Sequence, residues 1–333
     1  MYRSQSKLLK NWQKKKLIFY YDKSYLIKIL YKNKAIIIHI FTKMTFKEDI
    51  WDTPFNKAFF KTSHNSYVLS IREQLNKGVR GLEYDIHDNR IQELGDFEVY
   101  HLEKHVDTLL NEDGNPDNLL LSDWLKLLKE WSKEQNKEHA PITLFVELKD
   151  SIIDENNKPD EKYGITRLND IIVDAITPET LYTYKDFKEN NYQWPTVREL
   201  KGRILIVLVS YWGGYWAASE GGFDSRIKYL EDSLKGKNNI CFVSWVQEDE
   251  GEKVQFLKEK SNFWKCTLEY STENFHLNSE SQRLTRADFD KIVWGMHIKT
   301  YFSKNYENGF RCNFPATDVW GTEKYDSCFP WSV

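Results

Sequence analysis

The chain has 333 residues, 41% of them hydrophobic, and a formal net charge of −3. This length and composition are enough for one large domain, or two small ones, with a sizeable core. No stretch reaches the roughly 18 apolar residues of a transmembrane helix, and no secretory signal peptide is recognisable. These features exclude a helical integral membrane protein, and we expect a soluble chain that is cytoplasmic or bound to a membrane surface.

Residues 1–43 differ in charge from the rest of the chain. They contain ten Lys and one Arg against a single acid, Asp22, so this segment carries about +10 and the remainder about −13. The segment shows no clean helical or strand period. Three interpretations are open: a basic arm that binds anionic lipid, an unusual targeting segment, or an extension outside the domain with Met44 as the true start. We expect an extension at 1–43 and one folded domain at 44–333.

Short apolar runs alternate with amphipathic segments from residue 55 onward. The clearest helix is Ser122–Glu134, with large apolar side chains at helical spacing and Ser122 as its expected N-cap. Strands are predicted at Ala58–Thr62, Gly81–Ile86, Phe97–Tyr100, Ile142–Leu148, Arg203–Ser210, Ile240–Trp245, Trp264–Tyr270 and Met296–Phe302. Further helices are predicted at Ser70–Lys77, Gly164–Ala175, Thr196–Leu200, Glu252–Lys260 and Arg286–Val293.

The strand sequences "ILIVLV" and "ITLFVEL" are apolar on both alternating faces, which is typical of a parallel sheet covered on both sides. About eight such strands alternate with helices over about 280 residues. The pattern therefore predicts the α/β class, and within it a (β/α)₈ TIM-type barrel, regular or distorted, in a single domain.

Acidic side chains collect where the predicted strands end, which is where barrel enzymes place their catalytic groups. Glu83 and Asp85 are two residues apart in "GLEYDIHD" and so share one strand face, and Glu147 interrupts an apolar strand. Clustered buried carboxylates repel one another, and a divalent cation would offset that repulsion. With the Asn65 amide oxygen they form an all-oxygen set that favours Ca²⁺ or Mg²⁺ over zinc.

Ion pairing is the alternative interpretation of these acids. Glu83 and Asp85 could instead be neutralised by Arg80 or Lys149, and Glu147 could be a paired structural acid.

Two histidines accompany the acids at strand ends. His64 follows the first predicted strand and His101 the third, so both would be free for proton transfer or anion stabilisation if oxygen ligands hold the metal. A lone histidine is more often structural than catalytic, and only the joint occurrence at successive strand ends favours chemistry. His87 and Asp88 are expected to be loop residues without a direct chemical role.

Four segments in order resemble one enzyme family: "SHNSY", "QLNKGVRGLEYDIHD", "VYH" and "PITLFVELKD". They are similar to the catalytic half of phosphatidylinositol-specific phospholipase C, and most to its calcium-dependent branch, over residues 55–150. A weaker similarity continues in "VRELKGRILIVLVSYW" at 197–212. The resemblance implies a TIM-type barrel that uses Ca²⁺, with Mg²⁺ less favoured. It also implies cleavage of phosphatidylinositol to diacylglycerol and inositol phosphate, through attack of the inositol 2-hydroxyl on phosphorus.

The resemblance also implies roles for individual residues. His64 would stabilise the charge on the reacting phosphorus, and His101 would protonate the departing glycerol oxygen. Glu83 or Glu147 would accept the proton of the 2-hydroxyl. The metal ligands would be Asn65, Glu83, Asp85 and Glu147. Apart from the resemblance, Lys149, Lys299 and Arg311 are candidate contacts for the anionic substrate, the last two in a late predicted strand and its loop.

One departure from the family bears on the substrate. Val207 and Val209 stand where members that cleave phosphorylated inositides carry lysines, so we expect plain phosphatidylinositol or a glycosylated relative as substrate. The aromatic segment 211–216 follows the same strand, and it either meets the bilayer interface or packs the barrel mouth.

The four cysteines, at 241, 266, 312 and 328, show no C-x-x-C spacing and are expected to be free thiols.

Two other functions are open at this point. The chain could be a related barrel phosphodiesterase of the glycerophosphodiesterase or phospholipase D type, acting on another head group. It could also be a non-catalytic lipid-binding relative. The expected partner in each case is a membrane phospholipid, met peripherally. The acidity of the domain opposes nucleic-acid binding, and no obligate protein partner is inferred.

Overall fold

The computed structural model describes residues 17–21, 24–31, 34–39, 50–58, 60–104, 106–150, 152, 164–209, 219–237, 239–243, 251–262, 265, 270–271 and 314–317. It divides the chain into two compact units, Met1–Glu48 and Asp49–Val333. Within the described ranges, no helix has both the length and the apolar character needed to cross a bilayer. The strand predicted at Met296–Phe302 and the helix predicted at Arg286–Val293 lie outside these ranges.

The first unit contains a three-stranded antiparallel sheet. Its strands are β1 (Leu17–Tyr21), β2 (Ser24–Tyr31) and β3 (Lys34–His39), in that order. The register places Tyr21 opposite Ser24 and Tyr31 opposite Lys34. The sequence pattern did not predict these strands, because it shows no alternation of polar and apolar residues in this segment.

The second unit is built on a parallel sheet with the order β10-β11-β4-β5-β7-β8-β9, and β6 pairs with β5 from outside this path. The strands are β4 (Thr62–Ser63), β5 (Gly81–His87), β6 (Glu98–Val99), β7 (Ile142–Leu148), β8 (Ile204–Val209), β9 (Phe242–Val243), β10 (Tyr270–Ser271) and β11 (Phe314–Thr317). Its α-helices are Ile71–Asn76, Ile91–Leu94, Leu121–Glu134, Ile165–Ile176, Tyr184–Glu189, Ser219–Leu234 and Gly251–Lys260. Short 3₁₀ helices lie at Ile50–Asp52, Phe55–Lys57 and Ser66–Val68.

This alternation confirms the α/β class and the parallel sheet. Every neighbouring pair along the main path is parallel. Among the described residues no pairing joins β9 to β10, so closure into a barrel stays a prediction.

The two faces of the sheet bury different apolar cores. The outer core joins strand residues such as Tyr84 and Leu144 to the helices, with Trp124 fully buried in it. The inner core contains Phe145, Val207, Phe242 and Phe314 together with Phe55 and Phe60. Since each such side chain contributes roughly 1.5–3 kcal/mol on burial, both faces stabilise the central strands. Burial on both faces explains why the sequences of these strands are almost continuously apolar.

The inner side chains stand in registered rows. Glu83 pairs with Phe145, which pairs with Val207, and one row further along Asp85 pairs with Glu147, which pairs with Val209. Side chains of registered neighbours in a parallel sheet point the same way. The three acids therefore project to the inner face, with Asp85 and Glu147 near the carboxyl ends of β5 and β7 and Glu83 one row before them.

Gly81 permits the close approach of β4 and β5. A Cβ atom at this position would lie 2.6 Å from Thr62 Cγ2, closer than real Cβ atoms approach. Thr62 and Gly81 are register partners, so only a residue without a side chain fits there. The close contact between Thr62 and Gly81 places the end of β4, which leads into His64, beside β5, which carries Glu83 and Asp85.

Four sequence predictions about elements are wrong. Of the described residues in the predicted strand Ala58–Thr62, only Thr62 lies in a strand, because β4 is Thr62–Ser63. Phe97–Tyr100 is not a parallel barrel strand: only Glu98–Val99 is extended, and it pairs antiparallel with β5. Thr196–Leu200 forms turns instead of a helix. Ser122 is not the N-cap of its helix, because Leu120 precedes the first turn and the Asp96 carboxylate accepts a hydrogen bond from the Ser122 backbone at 3.1 Å. A residue 26 positions away therefore replaces the local cap.

Candidate functional site

Three buried carboxyl groups form the centre of the site. Glu83 and Asp85 are fully buried on β5, and Glu147 on β7 is 9% exposed. One oxygen atom from each lies within 4.8 Å of the others. The structure thus brings together the three acids that the strand-end pattern singled out.

Asn65 lies against these acids and has a left-handed backbone, with φ of 44°. Its backbone N–H donates to Glu83 Oε2 at 2.7 Å. The Tyr67 hydroxyl is 2.9 Å from Asn65 Oδ1 and also 2.9 Å from Asp85 Oδ2. Because a phenol has one proton, the hydroxyl donates to one of these oxygens at a time. Tyr67 therefore ties the Asn65 amide to the cluster.

His64 is positioned beside Asn65. Its Nδ1 is 3.5 Å from Asn65 Nδ2, and it is near enough to Glu147 to contribute to that group's electrostatics. Tyr67 is a further residue of the site, for which the sequence pattern predicted no role. The only sequence signal for Tyr67 was its place in "SHNSY", three residues after the histidine.

His101 reaches the cluster from a loop. Its Nδ1 is 2.5 Å from Asp85 Oδ2, and its side chain is 34% exposed. The Asp107 carboxylate accepts backbone hydrogen bonds from His101, Leu102 and Glu103 at 3.3, 2.8 and 3.3 Å, which holds the loop in place. His101 follows β6, which pairs antiparallel with β5. The sequence pattern had instead predicted His101 at the end of a parallel strand of the barrel.

Lys149 forms ion pairs inside the cluster. Its Nζ is 2.7 Å from Glu147 Oε1 and 3.1 Å from Asp85 Oδ2. The ion-pairing alternative raised by the sequence is therefore partly correct for Lys149. Arg80 is buried under the Trp131 ring, 5.1 Å from its centroid, and donates to the carbonyl oxygens of Leu75 and Val79.

The carboxyl groups differ in their affinity for protons. Burial, followed by the charge of Asp85, raises the pKa of Glu83 well above its usual range and also raises the pKa of Glu147. Burial alone would raise the pKa of Asp85, but its contacts with Glu83 and His101 outweigh burial and lower it. The same hydrogen bond raises the pKa of His101. Negative charge is therefore concentrated on Asp85.

The oxygen atoms of this cluster fit a hard divalent cation. Glu83 Oε1 and Asp85 Oδ1 are buried, and no donor group among the described residues hydrogen-bonds to them. Adjacent carboxyl groups of this kind need a shared proton or a cation. An acceptor left unsatisfied in the interior costs roughly 1–3 kcal/mol. Carboxylate and amide oxygens are the ligands that Ca²⁺ and Mg²⁺ prefer.

His87 joins the loops around the site, although the sequence assigned it no role. Its Nδ1 is 3.1 Å from Asp150 Oδ2 and its Nε2 is 3.3 Å from the carbonyl oxygen of His101. The ring stacks on Tyr100, with centroids 3.9 Å apart and planes 10° apart. His87 thus links the chain after β7 to the loop that carries His101.

Several predicted features lie outside the described residues. These are Lys299, Arg311, the aromatic segment 211–216 and the cysteines at 266, 312 and 328. Cys241 is a free, buried cysteine, and burial raises the pKa of its thiol to about 12. Val207 and Val209 are buried on the inner face, Val209 as the register partner of Glu147.

The fold and the site together define a class: a parallel α/β protein of the TIM-barrel type, with a buried acidic cluster at the carboxyl ends of its strands. Within that class, solved structures of phospholipase C from Pseudomonas sp. share the fold. A calcium-dependent phosphoinositol-specific phospholipase C in a myoinositol complex matches with a TM-score of 0.56 at 19% identity, over 83% of this chain and 94% of that one. Another crystal form, described as apo, matches with a TM-score of 0.52 at 18% identity, over 82% and 92%.

These likenesses confirm, at the level of fold, the family resemblance that the sequence motifs indicated. No protein-family model and no curated protein sequence matches the chain.

Proposed function

We propose that the chain is a metal-dependent phosphodiesterase that cleaves phosphatidylinositol-type lipids to diacylglycerol and inositol phosphate. The observation that carries the proposal is the joint placement of two unlike groups. An imidazole hydrogen-bonded to Asp85 lies beside a buried triad of carboxyl groups, and no donor among the described residues reaches Glu83 Oε1 or Asp85 Oδ1. A phosphodiester is anionic, so its cleavage needs a cation near its oxygens, a base for the nucleophile and an acid for the leaving group.

His101 suits the role of general acid. Its hydrogen bond to Asp85 raises its pKa and so favours the protonated imidazole. Nδ1 is engaged by Asp85, which leaves the Nε2 proton to be delivered to the glycerol oxygen. The P–O bond to glycerol breaks as that oxygen takes the proton, and diacylglycerol leaves.

Glu83 suits the role of general base. It lies in the carboxyl cluster with Asp85 and Glu147, and as a ligand of a bound cation it would be deprotonated and able to accept a proton. The attacking 2-hydroxyl would lose its proton to Glu83, or to Glu147, as its oxygen bonds to phosphorus. The first product is then a cyclic phosphodiester, which water opens to inositol phosphate.

The metal ligands in this proposal are Asn65, Glu83, Asp85 and Glu147, with His64 stabilising charge on the phosphoryl oxygens. When bound, Ca²⁺ would neutralise the charge that develops on those oxygens. Mg²⁺ is the less favoured ion, because it demands a stricter octahedral geometry than this mixed set of buried side chains suits.

The apolar residues Val207 and Val209 support a substrate without ring phosphates. Both are buried on the inner face, and a valine offers no donor to a phosphate. We therefore propose phosphatidylinositol, or a glycosylated form of it, as the lipid.

Two exposed apolar side chains support contact with a lipid surface. Leu102 and Val106 are 77% and 73% exposed, and both belong to the loop that begins at His101. The Asp107 carboxylate accepts three backbone hydrogen bonds from residues 101–103, which fixes the position of Leu102 beside His101. Insertion of such groups into the interface would bring His101 to the lipid head groups.

The test is hydrolysis of liposomes containing phosphatidylinositol, with and without a chelator, with products identified by mass spectrometry. Release of inositol phosphate that stops on chelation and returns with Ca²⁺ supports the proposal. Liposomes of phosphatidylcholine and phosphatidylglycerol run in parallel, because release of choline or glycerol head groups would indicate a different phosphodiesterase. No hydrolysis of any lipid would leave only a lipid-binding role.

A further inference from the structure

Lys149 is a cation built into the acidic cluster. Its side chain is 15% exposed, and its Nζ lies 2.7 Å from Glu147 Oε1 and 3.1 Å from Asp85 Oδ2. The cluster therefore already contains one positive charge among three carboxyl groups. Two of the three acids are in contact with it.

The contacts of Lys149 are confined to one part of the cluster. They use Oδ2 of Asp85, the oxygen that also faces His101 and Tyr67. The other oxygen, Asp85 Oδ1, and Glu83 Oε1 have no donor among the described residues. Ligand atoms for a metal ion are thus available without displacing Lys149.

We propose that Lys149 sets the affinity of this site for its divalent cation, by holding the acids together when the metal is absent and repelling the metal when it binds. The inference rests on the proposed function only in requiring that the site binds a metal. Like charges a few ångströms apart in a poorly solvated site repel strongly. A neutral side chain at this position should therefore strengthen metal binding and weaken the metal-free fold.

The two effects have the same electrostatic origin. Without Lys149, the carboxyl groups lose their internal counter-ion, and their mutual repulsion destabilises the metal-free protein. A divalent cation then removes a larger repulsion than in the wild type. The more favourable free energy of metal binding in the variant should appear both as a lower Kd and as a larger rise in the melting temperature when metal is added.

The experiment is calorimetric titration of the metal-free full chain with CaCl₂, repeated with MgCl₂, on the wild type and on Lys149→Met. Lys149→Met keeps the chain length and removes the charge. We expect it to bind Ca²⁺ about tenfold more tightly or better, whereas Lys149→Arg should stay within about threefold of the wild type. Lys149→Gln, neutral but still a hydrogen-bond donor, replaces the methionine variant if that variant does not fold.

The matched control is Lys104→Met. Lys104 pairs with Glu98, outside the acidic cluster, so its loss should leave Ca²⁺ affinity unchanged. Thermal unfolding should show a lower melting temperature for metal-free Lys149→Met than for the wild type, and a larger rise on adding Ca²⁺.

The outcomes separate this inference from the proposed function. If the wild type binds Ca²⁺ and Lys149→Met binds it equally or more weakly, the role of Lys149 is overturned while the metal site stands. If neither protein binds Ca²⁺ or Mg²⁺, the metal site and the role of Lys149 both fall. Binding by Lys149→Met alone would support the inference in its strongest form.

Discussion

His101 Nδ1 lies 2.5 Å from Asp85 Oδ2, and this contact connects a half-exposed loop to a fully buried strand. The hydrogen bond couples the two proton affinities in opposite directions, lowering the pKa of Asp85 and raising that of His101. The contact therefore favours a protonated imidazole beside a negatively charged Asp85. This is the arrangement that a general acid at neutral pH requires.

The first prediction concerns His101. His101→Gln should reduce cleavage of phosphatidylinositol by about 10²–10⁴-fold, because the glycerol oxygen is then left without a proton donor. The measurement is kcat on the lipid and on an inositol phosphodiester with a nitrophenol leaving group. Nitrophenolate leaves without protonation, so the second substrate should lose much less.

Equal losses on the two substrates would contradict the acid role and indicate a structural defect. In the wild type, the pH profile should show activity falling as pH rises through the raised pKa of His101, because the deprotonated imidazole cannot donate.

The second prediction links metal binding to protons. Glu83 and Glu147 have raised pKa values in the fold, so above their unfolded pKa of about 4.5 the folded state holds more protons than the unfolded one. The stability of the metal-free protein should therefore fall as pH rises above that value. The pKa of Asp85 is lowered in the fold, so its effect on stability has the opposite pH dependence. Its stabilising contribution is present above pH 3.8 and is lost as pH falls further.

Because the raised pKa values of Glu83 and Glu147 favour their protonated forms, calcium competes with protons for these groups. Calcium binding should therefore release protons, and the affinity should rise with pH. Titrations in two buffers of different ionisation enthalpy measure that release. Thermal unfolding from about pH 5 to about pH 8 should show the stabilisation by Ca²⁺ growing with pH. Stabilisation that stays constant across this range would contradict the assignment of these carboxyl groups as ligands.

The third prediction concerns the exposed apolar loop. Leu102→Ser together with Val106→Ser should weaken sedimentation with phosphatidylinositol vesicles by about tenfold, because two apolar groups no longer enter the interface. Hydrolysis of a water-soluble inositol phosphodiester should change little. Phe256→Ser is the matched control, since Phe256 is 54% exposed on the helix Gly251–Lys260.

The fourth prediction tests the fold that positions the site. Gly81→Ala should destabilise the protein by about 2–4 kcal/mol, because the new methyl group overlaps Thr62. Chemical denaturation measures the loss. Thr62→Ala in the same chain removes Oγ1 and Cγ2 of Thr62, the two atoms nearest to the new methyl group, and should recover part of the lost stability. Full stability of Gly81→Ala alone would mean that β4 and β5 do not approach as described.

The sequence predicted the parts of the site that depend on periodicity within one strand. Glu83 and Asp85 share a face because side chains alternate along β5, and Glu147 joins them because β7 is apolar on both faces and so belongs at the centre of a parallel sheet. The outer helices and the α/β class follow from the same patterns. These inferences held because they rest on local geometry and burial alone.

Contacts between distant segments could not be predicted in this way. The antiparallel pairing of Glu98–Val99, the cap that Asp96 supplies to Ser122, and the bond between Asp85 and His101 each join residues at least 11 positions apart. No pattern along the chain specifies which polar group meets which. For the same reason, the sequence could not decide whether Lys149 contacts the substrate or forms ion pairs with the acids.

By itself, then, the sequence determined which side chains face inward and at which strand ends they gather, because alternation and burial are properties of a strand. Only the tertiary structure decided how those side chains share charge: Lys149 against Asp85 and Glu147, His101 against Asp85, and Tyr67 between Asn65 and Asp85. The physical reason is that electrostatic interactions depend on distance in space, whereas sequence patterns report only on neighbours along the chain. Proton affinities and metal affinity depend on distances of a few ångströms between segments that are far apart in the chain.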